Sequence, residues 1–281
     1  MSSRVVPMIG PVASPGLHIM SLNIRRRRGA LAWRPADRWT HRAPRLRALL
    51  ASERPTLLGV QEALPSQVEV ARDALGPAYR YLGHGRGDDG AGEGCPIVYD
   101  AERLRLLEWT QLALSDEPHV AGSRSWGNWL PRIVVRALFR DATTGAEFVV
   151  LNTHLDPFSS RSRVRSAEQI RRWVMRERVP IIVSGDLNSD PESATVAAML
   201  ETGALRDAWN AASSRLTPEW GTYGRYRTPR RGGRRIDMIL VSDRVDVDGT
   251  GINGVPHGGG WASDHLPVQA VLRLSGERGS R

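Results

Sequence analysis

The sequence predicts an α/β protein in which two mixed β-sheets stack face to face with helices on the outside. Two observations along its 281 residues support this prediction. Apolar runs typical of strands outnumber helical patterns, and several neighbouring runs are joined as hairpins. Because consecutive parallel strands need a long crossover connection, the hairpins argue against a purely parallel, doubly wound sheet and favour stacked mixed sheets.

The predicted strands are short apolar runs bounded by polar or turn residues. The first ends at Asn23 and the second at Gln61. Two later runs flank the turn residues 142–145 and predict a hairpin. In chain order, the predicted strands cover residues 18–23, 56–61, 79–82, 96–99, 133–140, 148–153, 179–184, 236–241 and 268–274.

Four segments show the apolar spacing of helices. In the first, Leu46, Leu49 and Leu50 share one face, and the second is stopped by the glycine and proline at 76–77. The predicted helices cover residues 42–53, 66–75, 164–177 and 192–201. Residues 25–40 and the glycine-rich stretch 83–94 are predicted loops.

The composition predicts one domain with a sizeable core. Apolar residues make up 41% of the chain, and the single cysteine, Cys95, excludes both an intramolecular disulfide and a cysteine-based zinc cluster. This cysteine usage fits a reducing compartment, so we expect a cytoplasmic location. No stretch approaches the ~18 apolar residues of a membrane span, so we expect no membrane insertion. Residues 1–17 contain no continuous apolar run, so we expect no secretory signal. We expect residues 1–16 and 276–281 to be flexible tails and residues 17–275 to form the domain, acting as a monomer.

The net charge of +9 suggests a polyanionic partner such as a nucleic acid. All 39 basic residues are arginine, however, and so complete a bias is also typical of GC-rich coding. The charge therefore leaves two interpretations open, a phosphate-rich partner or a generic solvated surface.

Five short polar motifs occur beside apolar runs. Because each lies where a predicted strand ends or begins, their polar side chains should emerge at one rim of a sheet. Carboxylates, Asn and His gathered in this way can hold a hard divalent cation and hydrolyse a phosphate ester. The motifs are Ser-Leu-Asn at 21–23, Val-Gln-Glu at 60–62, Asn-Thr-His at 152–154, Gly-Asp-Leu-Asn at 185–188 and Ser-Asp-His at 263–265.

Two motifs suggest particular chemistry. Glu62 follows a buried run, where a carboxylate needs a cation or hydrogen bonds; the alternative is a helix cap or a surface salt bridge. Asp186 is placed to accept a proton from an attacking water, while the Asn188 amide donates to a phosphate oxygen. The alternative for this second pair is an ordinary Asp-Asn turn.

The remaining motifs add imidazoles. Asp264 is a candidate metal ligand, and the adjacent His265 a candidate phosphate contact. Asp237 interrupts an apolar strand and needs a partner, which a protonated His265 would provide. His154 follows the apolar run at 148–151.

The ordered set of motifs resembles the endonuclease/exonuclease/phosphatase superfamily over about residues 17–274. That family includes deoxyribonucleases, apurinic-site endonucleases, deadenylases, inositol polyphosphate phosphatases and sphingomyelinases. The resemblance implies a four-layer α/β sandwich and a catalytic domain that uses Mg²⁺ or Mn²⁺.

The resemblance also implies a role for each matching residue. Glu62 resembles the principal metal ligand, with Asn23 and Asp264 near the ion. Asp186 resembles the residue that aligns or deprotonates water, and Asn188 the one that stabilises developing charge. Asp237 and His265 resemble the family's carboxylate–imidazole pair. His154 resembles its second imidazole, and Glu93 the carboxylate that orients that imidazole.

The glycine-rich segment 85–94 and residues 125–133 resemble a bacterial subgroup near the deadenylase branch. This implies substrate-side roles for Arg86, Trp126 and Arg132; the alternative is a strand-edge position for Arg132 and a core-filling one for Trp126. Trp261, beside the last motif, is a candidate for stacking on a base. Arg25–Arg28 depart from the more acidic or neutral loop expected there, and predict either a highly phosphorylated substrate or a solvated loop.

We therefore expect a metal-dependent phosphodiesterase acting on nucleic acid or a nucleotide-like substrate. One alternative is an enzyme that cleaves phosphorylated sugars, inositols or lipid head groups. The other is a phosphate-binding module without turnover.

Overall fold

The computed structural model describes residues 6–29 and 33–274. Within these residues, thirteen strands alternate with five α-helices, and one short 3-10 helix spans Pro35–Asp37. The strands are β1 Leu17–Asn23, β2 Leu57–Gln61, β3 Tyr79–Leu82, β4 Ile97–Asp100, β5 Leu104–Ala113, β6 Ile133–Asp141, β7 Glu147–His154, β8 Ile181–Asp186, β9 Arg206–Asp207, β10 Ser214–Arg215, β11 Asp237–Val241, β12 Val245–Ile252 and β13 Val268–Leu274. The helices are α1 Trp39–Glu53, α2 Pro65–Leu75, α3 Ser160–Val174, α4 Ala194–Leu200 and α5 Ala208–Ala211.

The described strands form two mixed sheets. The first has seven strands in the order β10-β12-β13-β1-β2-β4-β3, and the second has six in the order β5-β6-β7-β8-β11-β9. At the centre of each sheet lies a parallel pair, β1 with β2 and β7 with β8. The outer neighbours β13 and β11 run antiparallel to β1 and β8.

Three apolar clusters separate four layers. The central cluster lies between the sheets and contains Phe139 and Phe148 from the second sheet and Ile19 and Leu57 from the first. A second cluster packs α3 and α4 on the second sheet, and a third packs α1 and α2 on the first. The four-layer sandwich with helices outside is therefore confirmed.

Two long strands were not predicted. β5 is an edge strand whose residues are mostly partly exposed, so it lacks a continuous apolar run. β12 contains two glycines and a register shift between Val247 and Gly249, which interrupt the strand pattern. The third and fourth helices begin at Ser160 and Ala194, where Ser159 and Ser193 cap them by accepting backbone N–H bonds.

The segment 6–16 packs on the domain rather than forming a free tail. The carboxylate of Glu53, at the end of α1, accepts backbone N–H bonds from Met8, Ile9 and Gly10 at 2.7–3.1 Å. The prediction of a flexible tail up to residue 16 missed this contact because the anchoring carboxylate lies 43–45 residues further along. Residues 1–5, and the tail predicted at 276–281, lie outside the described residues.

No helix in the two described ranges combines the length and apolar character needed to cross a membrane. Cys95 is buried in the central cluster, and burial raises the pKa of its thiol to about 12. The thiol therefore stays protonated and packs as a small apolar group.

Candidate active site

The topology brings the polar motifs to one rim of the sandwich. The parallel strands β1, β2, β7 and β8 end at or just before Asn23, Glu62, His154 and Asp186. The antiparallel neighbours begin at the same rim, so that Asp237 opens β11 directly opposite Asp186, and the loop before β13 carries residues 263–265. Residues more than 200 positions apart in the sequence thus share one site.

Three non-glycine residues at this rim have an unusual backbone conformation with positive φ. Arg25, Glu62 and Asn188 have φ values of 56°, 56° and 49°, in the left-handed region that non-glycine residues rarely adopt. Such strain persists only where surrounding contacts hold it, and it concentrates at functional sites.

The site opens into a cavity of about 460 Å³. Its wall carries six arginines and four acidic residues, with two exposed apolar side chains at one side. The lining residues are Arg25, Arg26, Arg28, Glu62, Arg86, Glu93, Leu130, Arg132, His154, Pro157, Phe158, Asp186, Asn188, Tyr223, Arg234, Ile236, Asp264 and His265.

Asp237 and His265 form the predicted carboxylate–imidazole pair. Oδ2 of Asp237 lies 2.8 Å from Nδ1 of His265, and both residues are buried. Burial lowers the pKa of His265, but the charges of Asp237 and Asp186 outweigh it and raise the pKa to about 10. His265 is therefore an imidazolium at neutral pH; it lines the cavity, and its Nε2 lies 3.8 Å from Asp186 Oδ2.

Asp186 lies at the centre of the site. Its Oδ1 accepts a hydrogen bond from the Asn188 backbone N–H at 2.9 Å, and its Oδ2 accepts one from Asn23 Nδ2 at 3.0 Å. The Nε2 atoms of His154 and His265 lie 3.6 and 3.8 Å from the same Oδ2. Burial, with the nearby charge of Asp237, raises the pKa of Asp186, which makes the ionised carboxylate a stronger base.

Asn188 lies beside His154 rather than presenting its amide nitrogen to the cavity. Its Nδ2 donates to the Leu155 carbonyl at 3.0 Å and lies 3.0 Å from His154 Nε2. The Leu155 carbonyl assigns the NH₂ group to this side, so His154 Nε2 accepts and its proton resides on Nδ1. Burial lowers the pKa of His154 to about 4, which keeps the ring neutral. The expected donation from the Asn188 amide to a phosphate is not made in this arrangement.

Glu62 is held as a carboxylate. It accepts hydrogen bonds from Asn23 Nδ2 and the Arg26 backbone N–H, both at 3.0 Å. Burial raises its pKa, but His154, these two donors and the Arg25 charge together lower it to about 2. Asn23 thus turns its amide hydrogens toward Glu62 and Asp186, while its oxygen accepts the Arg25 backbone N–H. Asn23 therefore orients the Glu62 and Asp186 carboxylates, and its own oxygen is not directed toward an ion as a third ligand.

Glu62 and Asp264 line the same cavity and offer the donor type of a hard divalent cation. The two carboxylates supply oxygen ligands, which is the donor type that Mg²⁺ and Mn²⁺ prefer. A positive group already lies between them, because the Arg25 guanidinium approaches Glu62 Oε2 and Asp264 Oδ2, each at 3.8 Å. The expected metal residues Glu62 and Asp264 are therefore brought together, with Asn23 beside them.

A second cluster of possible ligands consists of Asp186, Asp237 and His265, whose donor atoms lie within 4.8 Å of one another. Within this cluster His265 Nδ1 is already engaged with Asp237 Oδ2 at 2.8 Å, the arrangement of a carboxylate–imidazole pair. We therefore interpret this cluster as an acid–base group and the Glu62–Asp264 space as the metal side.

Glu93 does not take the role expected from the resemblance. Its carboxylate pairs with Arg86 at 2.7 Å and Arg26 at 3.4 Å, whereas the ring of His154 is positioned by Asn188. Arg86 and Arg132 do line the cavity, as expected of substrate-side residues. Arg132 is buried, with its Nε 3.3 Å from Asp156 Oδ2.

Trp126 and Trp261 are not among the residues that line the cavity. The Trp126 indole N–H donates to Asp116 at 3.0 Å, and that of Trp261 donates to the Gly254 carbonyl at 3.1 Å. Trp261 also packs against the central cluster. Both rings are therefore occupied within the chain, and the stacking role expected for Trp261 has no support from its position.

Sequence reasoning missed two aromatic groups at the cavity. The Tyr223 ring lies 4.9 Å from the His265 ring, and Phe158, 81% exposed, lies 6.1 Å from the Trp129 ring. Phe158 follows the third motif by four positions, which is the one sequence signal that pointed to it. Tyr223 lies in an arginine-rich loop without an apolar pattern, so nothing in the sequence distinguished it.

Comparison with known proteins agrees with this arrangement. A stretch of 170 residues is 30% identical to Protein angel of Drosophila melanogaster, and the match covers 56% of this chain and 46% of that protein. The chain thus spans about half the length of the curated relative it matches.

Two structures from Bacteroides thetaiotaomicron are similar over 92% of the chain. An endonuclease/exonuclease/phosphatase family protein has 29% identity and a TM-score of 0.86, with 98% of its own chain covered. A mannosyl-6-phosphatase has 28% identity and a TM-score of 0.83, with 100% covered.

The match to the family includes all five motifs. Residues 20–265 fit the sequence model of the Endonuclease/Exonuclease/phosphatase family, which is more than half of the chain. Members of this family hydrolyse phosphate esters and generally use divalent metals. The chain therefore belongs to the endonuclease/exonuclease/phosphatase family.

Proposed function

We propose that this protein is a Mg²⁺- or Mn²⁺-dependent phosphoesterase that hydrolyses a small phosphorylated molecule by in-line attack of water. The observation that carries the proposal is one cavity in which a protonated imidazole, a buried base and two metal-side carboxylates converge. In-line attack on phosphorus needs these three elements.

The metal side comprises Glu62 and Asp264, with Asn23 orienting Glu62. A bound divalent ion supplies a Lewis acid for the phosphate oxygens. The low pKa of Glu62, about 2, keeps its carboxylate charged across the physiological range. Glu62 therefore does not have to lose a proton before it binds a cation.

Asp186 is the proposed base and His265 the proposed donor. Two hydrogen bonds, to Asn188 N and Asn23 Nδ2, fix the Asp186 carboxylate and leave its remaining lone pairs for a water. His265 Nε2 lies 3.8 Å from Asp186 Oδ2, and its proton would stabilise negative charge on a phosphate oxygen. Neutral His154, held by Asn188, forms part of the same cavity wall.

The size and lining of the cavity favour a small anionic substrate. About 460 Å³ lies within the range of small-molecule sites, and the arginines suit phosphate groups. Leu130 and Phe158 provide an apolar side for a sugar or base ring. Resemblance to a mannosyl-6-phosphatase at 28% identity also supports a phosphorylated sugar as the class.

A nucleic-acid strand is the second candidate substrate. A further pocket of about 210 Å³ adjoins the cavity, since both are lined by Arg25, Tyr223 and Asp264, and it adds Arg34 and Arg225. This basic extension, with the net charge of +9, suits a longer phosphodiester chain. A monomeric state and a cytoplasmic location remain part of the proposal.

A substrate panel separates the candidates. Purified protein is incubated with Mg²⁺, Mn²⁺ or chelator and with sugar phosphates, inositol phosphates, mononucleotides and a labelled single-stranded oligonucleotide. We expect chelator-sensitive phosphate release from the small esters at rates well above oligonucleotide cleavage. Cleavage of the oligonucleotide alone would favour the nuclease, and turnover of none of them would support a phosphate-binding module.

A further inference from the structure

Arg25 occupies the place between the two metal-side carboxylates. Its Nη1 lies 3.8 Å from Glu62 Oε2 and its Nε lies 3.8 Å from Asp264 Oδ2. The same Nε donates to Asp37 Oδ1 at 3.4 Å. Burial lowers the pKa of Arg25, but Asp264, Glu62 and Asp37 together raise it, so this cation never loses its charge.

A divalent ion and this guanidinium cannot share the space. Both are positive and both need the same two carboxylates. In a partly buried site, solvent screens the repulsion between charges a few ångströms apart only weakly. We propose that Arg25 is a built-in competitor that holds the cation site until a metal enters and displaces its side chain. This inference rests on the metal side of the proposed function.

The backbone at Arg25 is fixed while the side chain has room to move. The Arg25 carbonyl accepts hydrogen bonds from Arg42 Nη1 at 3.1 Å and Gln67 Nε2 at 3.0 Å, and its N–H donates to Asn23 Oδ1. The side chain is 28% exposed and borders both the main cavity and the adjoining pocket. Displacement therefore needs a rotamer change and no movement of the loop.

Asp37 gives the displaced side chain a partner. It lines the adjoining pocket, where the Tyr226 hydroxyl donates to its Oδ1 at 2.7 Å. Arg25 can keep this ion pair after it leaves Glu62 and Asp264, and two discrete side-chain positions result. In the second position the guanidinium remains at the cavity wall, where it can contact an anionic substrate.

The test measures Mn²⁺ affinity without substrate, by electron paramagnetic resonance and calorimetry, for wild type, Arg25→Gln and Arg26→Gln. Arg26 is the matched control, because it carries the same charge on the same loop but its guanidinium pairs with Glu93. We expect Arg25→Gln to bind Mn²⁺ about tenfold or more tightly than wild type, since a close, weakly screened charge is removed. Arg26→Gln should gain only a small fraction of this.

Arg25→Lys is a second variant in case the glutamine variant does not fold. A single ammonium group cannot approach both carboxylates as the wider guanidinium does, so we expect an intermediate gain in Mn²⁺ affinity. Mn²⁺ affinity that is unchanged or weaker in the folded Arg25 variants, or equal to that of Arg26→Gln, would overturn the inference. If the affinity gain appears but no phosphoester is hydrolysed, the proposed function fails and this inference stands.

Discussion

At the scale of single residues, the site depends on the hydrogen bond between the Asp237 carboxylate and the His265 ring. The 2.8 Å hydrogen bond places a negative charge against the ring and raises the pKa of His265 to about 10, even though burial alone would lower it. The positive charge of His265 at neutral pH therefore depends on the neighbouring carboxylate, because burial alone would leave the imidazole neutral.

We expect Asp237→Asn to lower the pKa of His265 and move the alkaline limb of the kcat–pH profile to lower pH. Wild type should lose activity only near pH 10, where the imidazolium deprotonates. Asp248→Asn is the control, because Asp248 pairs with Arg273 at the surface. Identical alkaline limbs in wild type and Asp237→Asn would contradict the assigned pair.

The same pKa determines how stability varies with pH. Because the folded pKa of about 10 lies above the ordinary value of 6.5, protonated His265 stabilises the fold fully below pH 6.5. That contribution is lost as the pH rises from 6.5 through 10. Chemical unfolding of Asp237→Asn should show a smaller loss of stability across this window than wild type.

At the scale of elements, α1 positions the loop that follows β1. Arg42, buried on α1, donates from Nη1 to the Ile24 carbonyl at 2.7 Å and from Nη2 to the Arg26 carbonyl at 3.0 Å. Its Nε donates to the Asp37 carbonyl at 3.0 Å. The residues around the metal side therefore owe their backbone positions to one guanidinium on a neighbouring helix.

Arg42→Met should destabilise the fold and weaken Mn²⁺ binding together. Several buried carbonyls lose their donor, so we expect the free energy of unfolding to fall by about 3 kcal/mol or more. Urea unfolding and Mn²⁺ titration measure the two effects. Arg47→Met, which removes the same charge from an exposed position of the same helix, should change neither appreciably. An intact metal site in Arg42→Met would refute the positioning role.

At the scale of the whole molecule, the two sheets are joined beneath the site by a buried polar cluster. Asn152 Nδ2 donates to the Val60 carbonyl at 2.8 Å, and Asn152 Oδ1 accepts from Gln61 Nε2 at 2.7 Å and from Ser184 Oγ at 3.2 Å. The sheets approach here because Gly59 has no side chain; a Cβ atom would lie 2.5 Å from Ser184 Oγ. The site halves on the two sheets are thus held at a fixed separation.

Gly59→Ala should push the sheets apart at this cluster. Overpacking of this kind typically costs about 1–3 kcal/mol, and we expect turnover to fall along with stability. Ser184→Ala removes the closest clash, so the double variant should recover part of both losses in a double-mutant cycle. Strictly additive losses would show that the close contact does not set the sheet separation.

The sequence predicted the layers and the rim because both depend on local patterns. Apolar runs marked most of the strands, and motifs at strand ends marked Asp186, His154 and His265. The partners were not predictable, because each contact joins distant segments. Arg42 was only the first residue of a predicted helix, and Glu93 was expected to contact His154. The two tryptophans Trp126 and Trp261 satisfy their indole N–H groups elsewhere.

The most direct test of the central claim follows the oxygen of the attacking water. Hydrolysis of a small phosphoester with Mg²⁺ in ¹⁸O-labelled water should place one ¹⁸O in each released phosphate. Asp186→Asn should lower kcat by about 10²–10⁴-fold, the range typical of a general base, without loss of folding. Phosphate released without ¹⁸O, or released equally fast by Asp186→Asn, would contradict water attack at a site formed by the two sheets.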